Sequence, residues 1–334
     1  MNDGILSAIG NTPLVRLSRI FKDIHFQLYA KLETLNPGGS IKDRPAISII
    51  EHGIATGAIR SGTVVVESSS GNMGIGLAQA CSYFGLRFIC VIDSKTTLQN
   101  VRLLQAYGAE VDLISEPDPQ TGEFLQARIN RVQSLLNSVE NGFWPNQYSN
   151  QYNPIAHHRT MHEIVTALGE IDCLFCATST CGTLRGCAEY IREHNLRTTV
   201  YAVDAVGSVI FGGLSAKRLI PGHGAALVPG LFRADLTNQC VHVTDLDCVV
   251  GCRRLARCEA ILAGGSSGAV VMAVDRVKQS IPSGATCVVI FPDRGERYLD
   301  TIYSDEWVAE HFGDDVFAYW QNYPEDRSWM TVAC

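Results

Sequence analysis

Short runs of apolar, β-branched residues alternate with helical segments along this chain, and that alternation constrains its fold more than any other feature. Residues 63–67, 87–92 and 287–291 are such runs, while residues 73–83 and 96–107 have helical patterns. Nearly continuous apolar strands separated by helices are typical of a parallel sheet that is covered on both faces. We therefore expect an α/β fold with mostly parallel, twisted sheets and helices on both faces.

The same pattern predicts further strands and a division into two lobes. These strands cover residues 110–115, 173–177, 199–203 and 240–244. A chain of 334 residues corresponds to about two domains at ~150 residues each. The aromatic, loop-like segment 143–152 is the expected position of a boundary.

Composition excludes several classes of protein. The chain is 46% hydrophobic and 18% charged, which favours a folded core over disorder. Its net charge of -7 offers no basic surface for nucleic acid. No apolar run reaches the ~20 residues that span a bilayer, and the first residues lack the pattern of a signal peptide. We expect a cytoplasmic protein.

The cysteines and histidines do not indicate a metal site. Twelve cysteines are spread along the chain, several within apolar runs, so buried thiols are expected rather than disulfides. Cys173 and Cys176 form a C-x-x-C inside a predicted strand, where residues three apart point to opposite faces. His158 and His162 have helical spacing but lack the glutamate of the H-E-x-x-H zinc motif.

A turn at residues 36–45 brings a lysine to the start of a helix. Two glycines allow a tight turn, and Ser40 with Asp43 resembles a helix N-cap pair. Pro45 fits only an early helical turn, so the helix should begin between Ser40 and Asp43. The positive end of the helix would lower the pKa of Lys42 and favour a nucleophilic amine. From spacing alone, an ordinary surface lysine in a helix cap is equally open.

Two more turns are rich in hydroxyl groups and lie where helices should begin. They are residues 67–74, with three consecutive serines, and residues 178–183, with four hydroxyl groups. Backbone N–H groups at a helix N-terminus bind anions, so the first turn suits a carboxylate and the second a phosphate. Each turn alone could be an ordinary helix cap. Together with the glycine- and serine-rich segment 264–268, they indicate a ligand site.

These four segments resemble the fold type II family of pyridoxal 5'-phosphate enzymes, whose members include cysteine synthases, cystathionine β-synthases and the tryptophan synthase β subunit. The resemblance runs from Gly10 to about Leu299. It implies a large cofactor-binding domain of residues 1–40 and 148–334. It also implies a smaller, mobile domain of residues 41–147 that closes over the substrate.

The resemblance assigns roles to individual residues. Lys42 matches the lysine that forms the Schiff base with the cofactor, and Ser266 the serine that faces the pyridine nitrogen. Asn72 would contact the cofactor's ring hydroxyl, and Cys181 replaces a glycine of the phosphate loop. The expected phosphate-loop residues are Ser179, Thr180, Cys181, Gly182 and Thr183. The expected substrate-carboxylate residues are Ser69, Ser70, Gly71, Asn72 and Gln147.

A closer resemblance is carried by residues 202–212, 251–255 and 292–299. They look like the branch that makes N-(2-amino-2-carboxyethyl)-L-glutamate from O-phospho-L-serine and L-glutamate, the first step to L-2,3-diaminopropionate for siderophores and antibiotics. This branch implies substrate contacts at Arg128, Tyr148 and Ser179. On spacing alone, however, Arg128 could lie on a solvated helix face.

Three functions other than the use of glutamate as the nucleophile remain open. A cysteine synthase would use O-acetylserine or O-phosphoserine with sulfide, and a cystathionine β-synthase would use homocysteine. A catalytically silent amino-acid-binding subunit is the alternative from a different class. The family resemblance implies a homodimer, and the branch implies a downstream NAD-dependent enzyme that cleaves the product.

Two segments are less certain matches to the family. Residues 157–164 are one residue shorter than the family's usual stretch and lack its glycine, which leaves the local helix start open. The tail after Leu299, with Trp320 and Trp329, is expected to cover the large domain or to join a dimer.

Overall fold

The computed structural model describes residues 4–22, 24–122, 124–314 and 316. Trp320 and Trp329, and with them the predicted role of the tail, lie outside these residues. Its strands are β1 (Leu14–Arg16), β2 (Gln27–Leu32), β3 (Val64–Ser68), β4 (Arg87–Asp93), β5 (Glu110–Ile114), β6 (Gly142–Phe143), β7 (Cys173–Ala177), β8 (Thr199–Ala205), β9 (Gln239–Val243) and β10 (Thr286–Phe291). Its α-helices are α1 (Asp43–Ala55), α2 (Asn72–Phe84), α3 (Leu98–Ala106), α4 (Phe124–Ser138), α5 (Tyr152–Leu168), α6 (Gly182–Glu193), α7 (Asp245–Glu259), α8 (Gly265–Val277) and α9 (Asp305–Phe312).

The strands form two sheets. One has six strands in the order β1-β2-β10-β7-β8-β9, and the other has four in the order β5-β4-β3-β6. Every pairing is parallel except that of β1 with β2, which confirms the predicted α/β class. The smaller sheet is built from residues 64–143. The domain boundaries at residues 40 and 147, and the mobility of the smaller domain, stay a prediction.

Both faces of each sheet are covered, because alternate residues of a strand point to opposite sides. In β7, Phe175 packs in the core beneath α7 and α8, whereas Leu174 packs in the core beneath α5 and α6. In β3, Val65 faces the core with α1, α2 and α3, whereas Val66 faces α4. The sheets are thus buried on both sides, which explains why the interior strands β3, β4, β7 and β10 are mainly apolar.

The cysteines of the described residues are free thiols, and nine of them are buried. Cys173 and Cys176 lie on opposite faces of β7, in different cores, as the strand geometry predicted. His158 lies 3.7 Å from Glu189, and His162 lies 3.1 Å from the hydroxyl of Tyr190. Within the part of the chain that the structure describes, no group of three histidine, cysteine or acidic side chains is placed to hold a metal ion.

Sequence patterns predicted seven of the ten described strands to within a few residues, but not β1, β2 or β6. Strand β2 is interior to the larger sheet, yet Lys31 interrupts its apolar pattern. Lys31 is 2% exposed and pairs with Glu163 at 2.7 Å. The shortened segment 157–164 lies within α5, which begins at Tyr152 and runs without a break. None of the described helices is long and apolar enough to cross a membrane.

A buried ion cluster connects the start of α1 to the larger sheet. Arg44 donates to Glu33 at 2.6 Å and to Glu163 at 2.7 Å, and Lys31 pairs with the same Glu163. Arg44 is 3% exposed, so removing one partner would leave an uncompensated charge in the interior. Burial raises the pKa of Glu163, but the hydrogen bonds and charges of Arg44 and Lys31 overcome this and lower it from 4.5 to about 2.

The first prediction concerns the acid sensitivity of this cluster. Because the pKa of Glu163 is lower in the folded chain, its contribution is present above pH ~4.5 and is lost as the pH falls toward 2. The Glu163→Gln variant is less stable at pH 7. Between pH 6 and pH 3.5, its unfolding free energy should nevertheless fall by about 1.4 kcal/mol less than that of the wild type.

Urea unfolding at both pH values measures this difference. Glu110→Gln is the control, because Glu110 pairs with Arg87 on the surface, where both side chains are about half exposed. This variant should keep the acid sensitivity of the wild type to within ~0.5 kcal/mol. Equal acid sensitivity in wild type and Glu163→Gln would contradict the assignment.

Candidate active site

The predicted ligand turns lie at the carboxyl ends of parallel strands. The turn at residues 67–74 follows β3, the turn at 178–183 follows β7, and the lysine turn follows β2 after a short 3-10 helix. Strands β2, β10, β7 and β8 are parallel neighbours, so their carboxyl ends share one edge of the larger sheet. This edge is where open α/β sheets bind ligands.

The lysine turn uses its glycines as the sequence suggested. Gly39 has a φ of +81°, a left-handed conformation that favours glycine. Lys42 is the N-cap residue of α1, which confirms the predicted start of this helix. The predicted capping pair is wrong, because the Asp43 carboxylate accepts from the Gly38 N–H at 2.5 Å and the Ser40 hydroxyl accepts from the Lys42 N–H at 3.2 Å. These bonds stabilise the turn itself rather than the helix end.

The environment of Lys42 disfavours its charged form. The pKa of its amine is lowered from 10.5 chiefly because burial penalises the ammonium, while Asp293 and Cys181 act in the opposite direction. The sequence predicted the direction of this shift but attributed it to the helix dipole. Because Asp293 and Cys181 act on the Lys42 amine, this amine lies near the N-cap of α6 and near the segment after β10.

The serine-rich turn surrounds the first turn of α2. The Ser69 hydroxyl accepts from the Gly74 N–H at 2.9 Å, and the carbonyl of Ser70 accepts from Asn100 at 3.0 Å. The amide nitrogen of Asn72 donates to Asp293 at 2.8 Å, and its amide oxygen accepts from Arg297. The Asn72 amide is therefore held from both sides in one orientation.

The segment that follows β10 connects three of the predicted turns. Ile41 N–H donates to the Pro292 carbonyl at 2.7 Å, and Gly264 N–H donates to the Asp293 carbonyl at 3.0 Å. The Asp293 side chain accepts from Asn72 and from the Tyr298 hydroxyl, at 2.6 Å from the latter. Asp293 is 1% exposed, and burial raises its pKa. Pro292 and Asp293 together join the lysine turn, the Asn72 turn and the start of α8, where Ser266 lies.

The sequence of this segment carries a family resemblance but does not predict a role for Asp293. A signal was present, because an acidic residue two positions after the apolar run 287–291 must lie at the carboxyl edge of a buried strand. What it bonds to depends on turns distant in sequence.

The hydroxyl-rich turn after β7 leads into α6. Cys181 is its N-cap residue with a φ of +64°, so the cysteine occupies the left-handed conformation that a glycine would adopt easily. The Cys181 side chain does not cap the helix, and the Thr180 hydroxyl lies 3.4 Å from the Gly182 N–H. Thr183 lies 3.3 Å from the ring of His157, whose pKa is lowered by burial and by Lys42. Ser179 is partly exposed beside them.

The remaining predicted substrate residues lie near the smaller sheet. Gln147 is 7% exposed, and its N–H donates to Glu67 at 3.2 Å. Burial raises the pKa of Glu67 to about 7. Tyr148 lies within electrostatic range of Arg128 and Glu67, and burial raises its pKa. Arg128 pairs with Asp93, at the end of β4, at 3.4 Å.

The residues present suit pyridoxal 5'-phosphate, the cofactor that the resemblance implies. Lys42 offers a buried amine whose neutral form is favoured. The N-terminus of α6, a helix of 12 residues without a side-chain cap, is suited to a phosphate. One carboxylate oxygen of Asp293 is buried without a hydrogen-bond partner, so the site keeps an unused polar atom close to Lys42.

The second prediction tests the strained N-cap of α6. Cys181→Gly and Cys181→Ala both remove the thiol, but only alanine keeps the strain of a left-handed side chain. The glycine variant should therefore be more stable by about 1 kcal/mol. At Cys187, inside the same helix, the order should reverse by a similar amount, because glycine is the poorer helix former. Urea unfolding of the four variants measures both differences, and the same order at both positions would refute this account.

Comparison with known proteins identifies the family. Residues 5–293 match the family model described as pyridoxal-phosphate dependent enzyme. An O-acetylserine dependent cystathionine β-synthase from Helicobacter pylori is 32% identical, with a TM-score of 0.84 over 91% of this chain and 99% of that one. A cysteine synthase from Entamoeba histolytica is 31% identical, with a TM-score of 0.84 over 91% of each chain. An O-ureido-L-serine synthase is 29% identical, with a TM-score of 0.83 over 99% of each chain.

The family match covers most of the chain, and the similarity to these solved structures extends over both sheets. The fold and the lysine, serine and threonine turns agree with this placement. The chain therefore belongs to the pyridoxal-phosphate dependent enzymes of the cysteine synthase type, and its cofactor is pyridoxal 5'-phosphate.

Proposed function

We propose that this enzyme catalyses a β-replacement on O-phospho-L-serine with L-glutamate as the nucleophile. The products would be N-(2-amino-2-carboxyethyl)-L-glutamate and phosphate. The observation that carries the choice of nucleophile is the inward position of Arg128, because a dicarboxylate needs cationic partners in a buried site.

In this proposal Lys42 holds the cofactor and then moves the proton at the substrate's Cα atom. Bound pyridoxal phosphate supplies an acceptor for the electron density that this proton transfer releases. The buried amine of Lys42 suits a general base, since its lowered pKa brings the neutral form closer to the working pH. The phosphate group of O-phospho-L-serine leaves from Cβ, and the amino group of glutamate forms the new bond there.

The other residues bind and orient the substrate and the cofactor. We assign the substrate carboxylate to the turn Ser69, Ser70, Gly71 and Asn72, together with Gln147. The fixed amide of Asn72 suits a contact that needs one orientation. We assign the cofactor phosphate to Ser179, Thr180, Cys181, Gly182 and Thr183, and the pyridine nitrogen to Ser266, whose neutral hydroxyl would not keep that nitrogen protonated.

Arg128 supports the use of a charged second substrate. Its neighbour on α4, Arg131, is 42% exposed and pairs with Asp112 on the surface. Arg128 is only 12% exposed, and its buried Nε atom is the one that faces Asp93. It therefore does not lie on a solvated helix face, which was the alternative from the sequence. Its pairing with Asp93 at 3.4 Å leaves donors for a carboxylate of glutamate.

A cysteine synthase is the second candidate, favoured by the similarity to the cysteine synthase and cystathionine β-synthase described above. Sulfide needs no charged recognition group, so this reaction would leave the buried Arg128 without a substrate partner. The two candidates share the first half-reaction and differ in the second nucleophile.

The third prediction separates them by product. Purified holoenzyme is given O-phospho-L-serine, and the change in the cofactor's absorbance is recorded before L-glutamate or sulfide is added. We expect glutamate to restore the original spectrum, with N-(2-amino-2-carboxyethyl)-L-glutamate and one equivalent of phosphate formed. Restoration by sulfide alone would make the protein a cysteine synthase. A cofactor absorbance that no added amino acid changes would support a catalytically silent subunit.

The fourth prediction concerns Arg128. Arg128→Ala should lower kcat/KM for glutamate by about 10- to 100-fold, because a charge-assisted hydrogen bond contributes ~1.5–3 kcal/mol. The rate of the first half-reaction should fall much less. Arg131→Ala on the same helix is the matched control, and it should keep the wild-type kcat/KM. Equal losses in both half-reactions of Arg128→Ala would contradict a role in binding the nucleophile.

A further inference from the structure

A long segment between β8 and the 3-10 helix Ala234–Leu236 lies at the carboxyl edge of the larger sheet. Gly224 N–H donates to the Thr178 carbonyl at 2.7 Å, next to the predicted phosphate turn. Leu231 N–H donates to the Tyr148 carbonyl at 3.1 Å. The segment at residues 206–233 thus borders both the cofactor side and the nucleophile side of the site.

This segment contains two basic side chains with buried nitrogen atoms that lack a full set of hydrogen-bond partners. His223 is 2% exposed, and its ring interacts with the Thr178 backbone, which leaves at least one ring nitrogen unbonded. Arg218 has its Nε and Nη1 atoms buried and unbonded. A side-chain carbon on Gly224 would lie 2.8 Å from Nη1 of Arg218, so the guanidinium lies directly against the backbone of this turn. The reaction described above uses neither residue.

The two side chains differ in charge. Burial and the nearby charge of Arg218 lower the pKa of His223 to about 4, so this ring is neutral near pH 7. A neutral imidazole donates one hydrogen bond and accepts another. Arg218 carries the positive charge of the pair and also lies within electrostatic range of Tyr148.

Several other partly or fully buried arginines are matched with carboxylates. Arg44 pairs with Glu33 and Glu163, and Arg254 pairs with Asp275. No carboxylate partner of Arg218 is found among the described residues. Arg218 is only partly buried, but its Nε and Nη1 atoms are removed from water, and an anion brought by a ligand would offset that cost.

We propose that Arg218 and His223 form an anion subsite that binds a carboxylate or phosphate group of a reactant. The distal carboxylate of the second amino acid fits it best, because the segment that carries Arg218 is bonded to Tyr148 through the Leu231 N–H, and Arg128 acts on the same tyrosine. Two cations near one tyrosine suit a dicarboxylate, with Arg128 holding one carboxylate and Arg218 the other. This inference rests on the proposed function for the identity of the ligand, but not for the existence of the subsite.

The fifth prediction uses equilibrium binding, so that it does not depend on turnover. Glutarate and inorganic phosphate are titrated separately into the holoenzyme by calorimetry. Arg218→Gln should raise the Kd for glutarate by about 10- to 100-fold, since it removes a charge-assisted hydrogen bond. Arg218→Lys should recover part of this affinity. Lys217→Gln, the same change at the exposed neighbouring residue, should bind glutarate as the wild type does.

The outcomes identify the source of the anion. Weaker binding of glutarate assigns the subsite to the second substrate, and weaker binding of phosphate alone assigns it to the leaving group. Unchanged Kd values for both ligands in a folded Arg218→Gln holoenzyme overturn the subsite. If that variant does not fold, His223→Phe decides, because it fills the same space without ring nitrogens. It should raise the Kd several-fold, and an unchanged Kd overturns the proposal.

The product assay separates this inference from the proposed function. Suppose that glutarate binding depends on Arg218 but the wild type forms no glutamate adduct. This result would keep the subsite and reject glutamate as the nucleophile. If the adduct forms and the KM for glutamate is the same in the wild type and in Arg218→Gln, the function is kept and the subsite is rejected.

Discussion

The arrangement of the site depends on one buried carboxylate, that of Asp293. Its side chain accepts hydrogen bonds from Asn72 and Tyr298, and its backbone carbonyl accepts one from Gly264. These bonds join turns that are far apart in the chain: one follows β3, another precedes α8, and Asp293 itself follows β10. Because the Lys42 turn bonds to the adjacent Pro292 carbonyl through Ile41, the reactive amine is held in the same network.

Burial is the main electrostatic influence in this region, and it acts in opposite directions on acids and bases. It lowers the pKa of Lys42 and of His157. It raises the pKa values of Asp43 and Glu67, both acids reaching about 7. Both changes favour neutral side chains near physiological pH. A site with few fixed charges gives the remaining cations a strong influence on anionic reactants, because little water or counter-charge screens them.

The sequence predicted the fold well because apolar strand patterns are local. The runs at β3, β4, β7 and β10 could be recognised from composition and length, and their burial on both faces explains their lack of alternation. Strand β2 was missed because Lys31 looks like a surface residue. Only the distant Glu163 on α5 explains why a lysine is buried there.

The sequence by itself determined the α/β class, the turns that carry Lys42 and Asn72, and the start of α1. These follow from local periodicity, glycine conformations and the position of a proline. The tertiary structure decided which of those turns meet, that Arg128 points inward, and that Arg218 has no carboxylate partner within the described residues. Such facts depend on contacts between segments that are distant in sequence, and burial alone turns an ordinary charged side chain into a binding group.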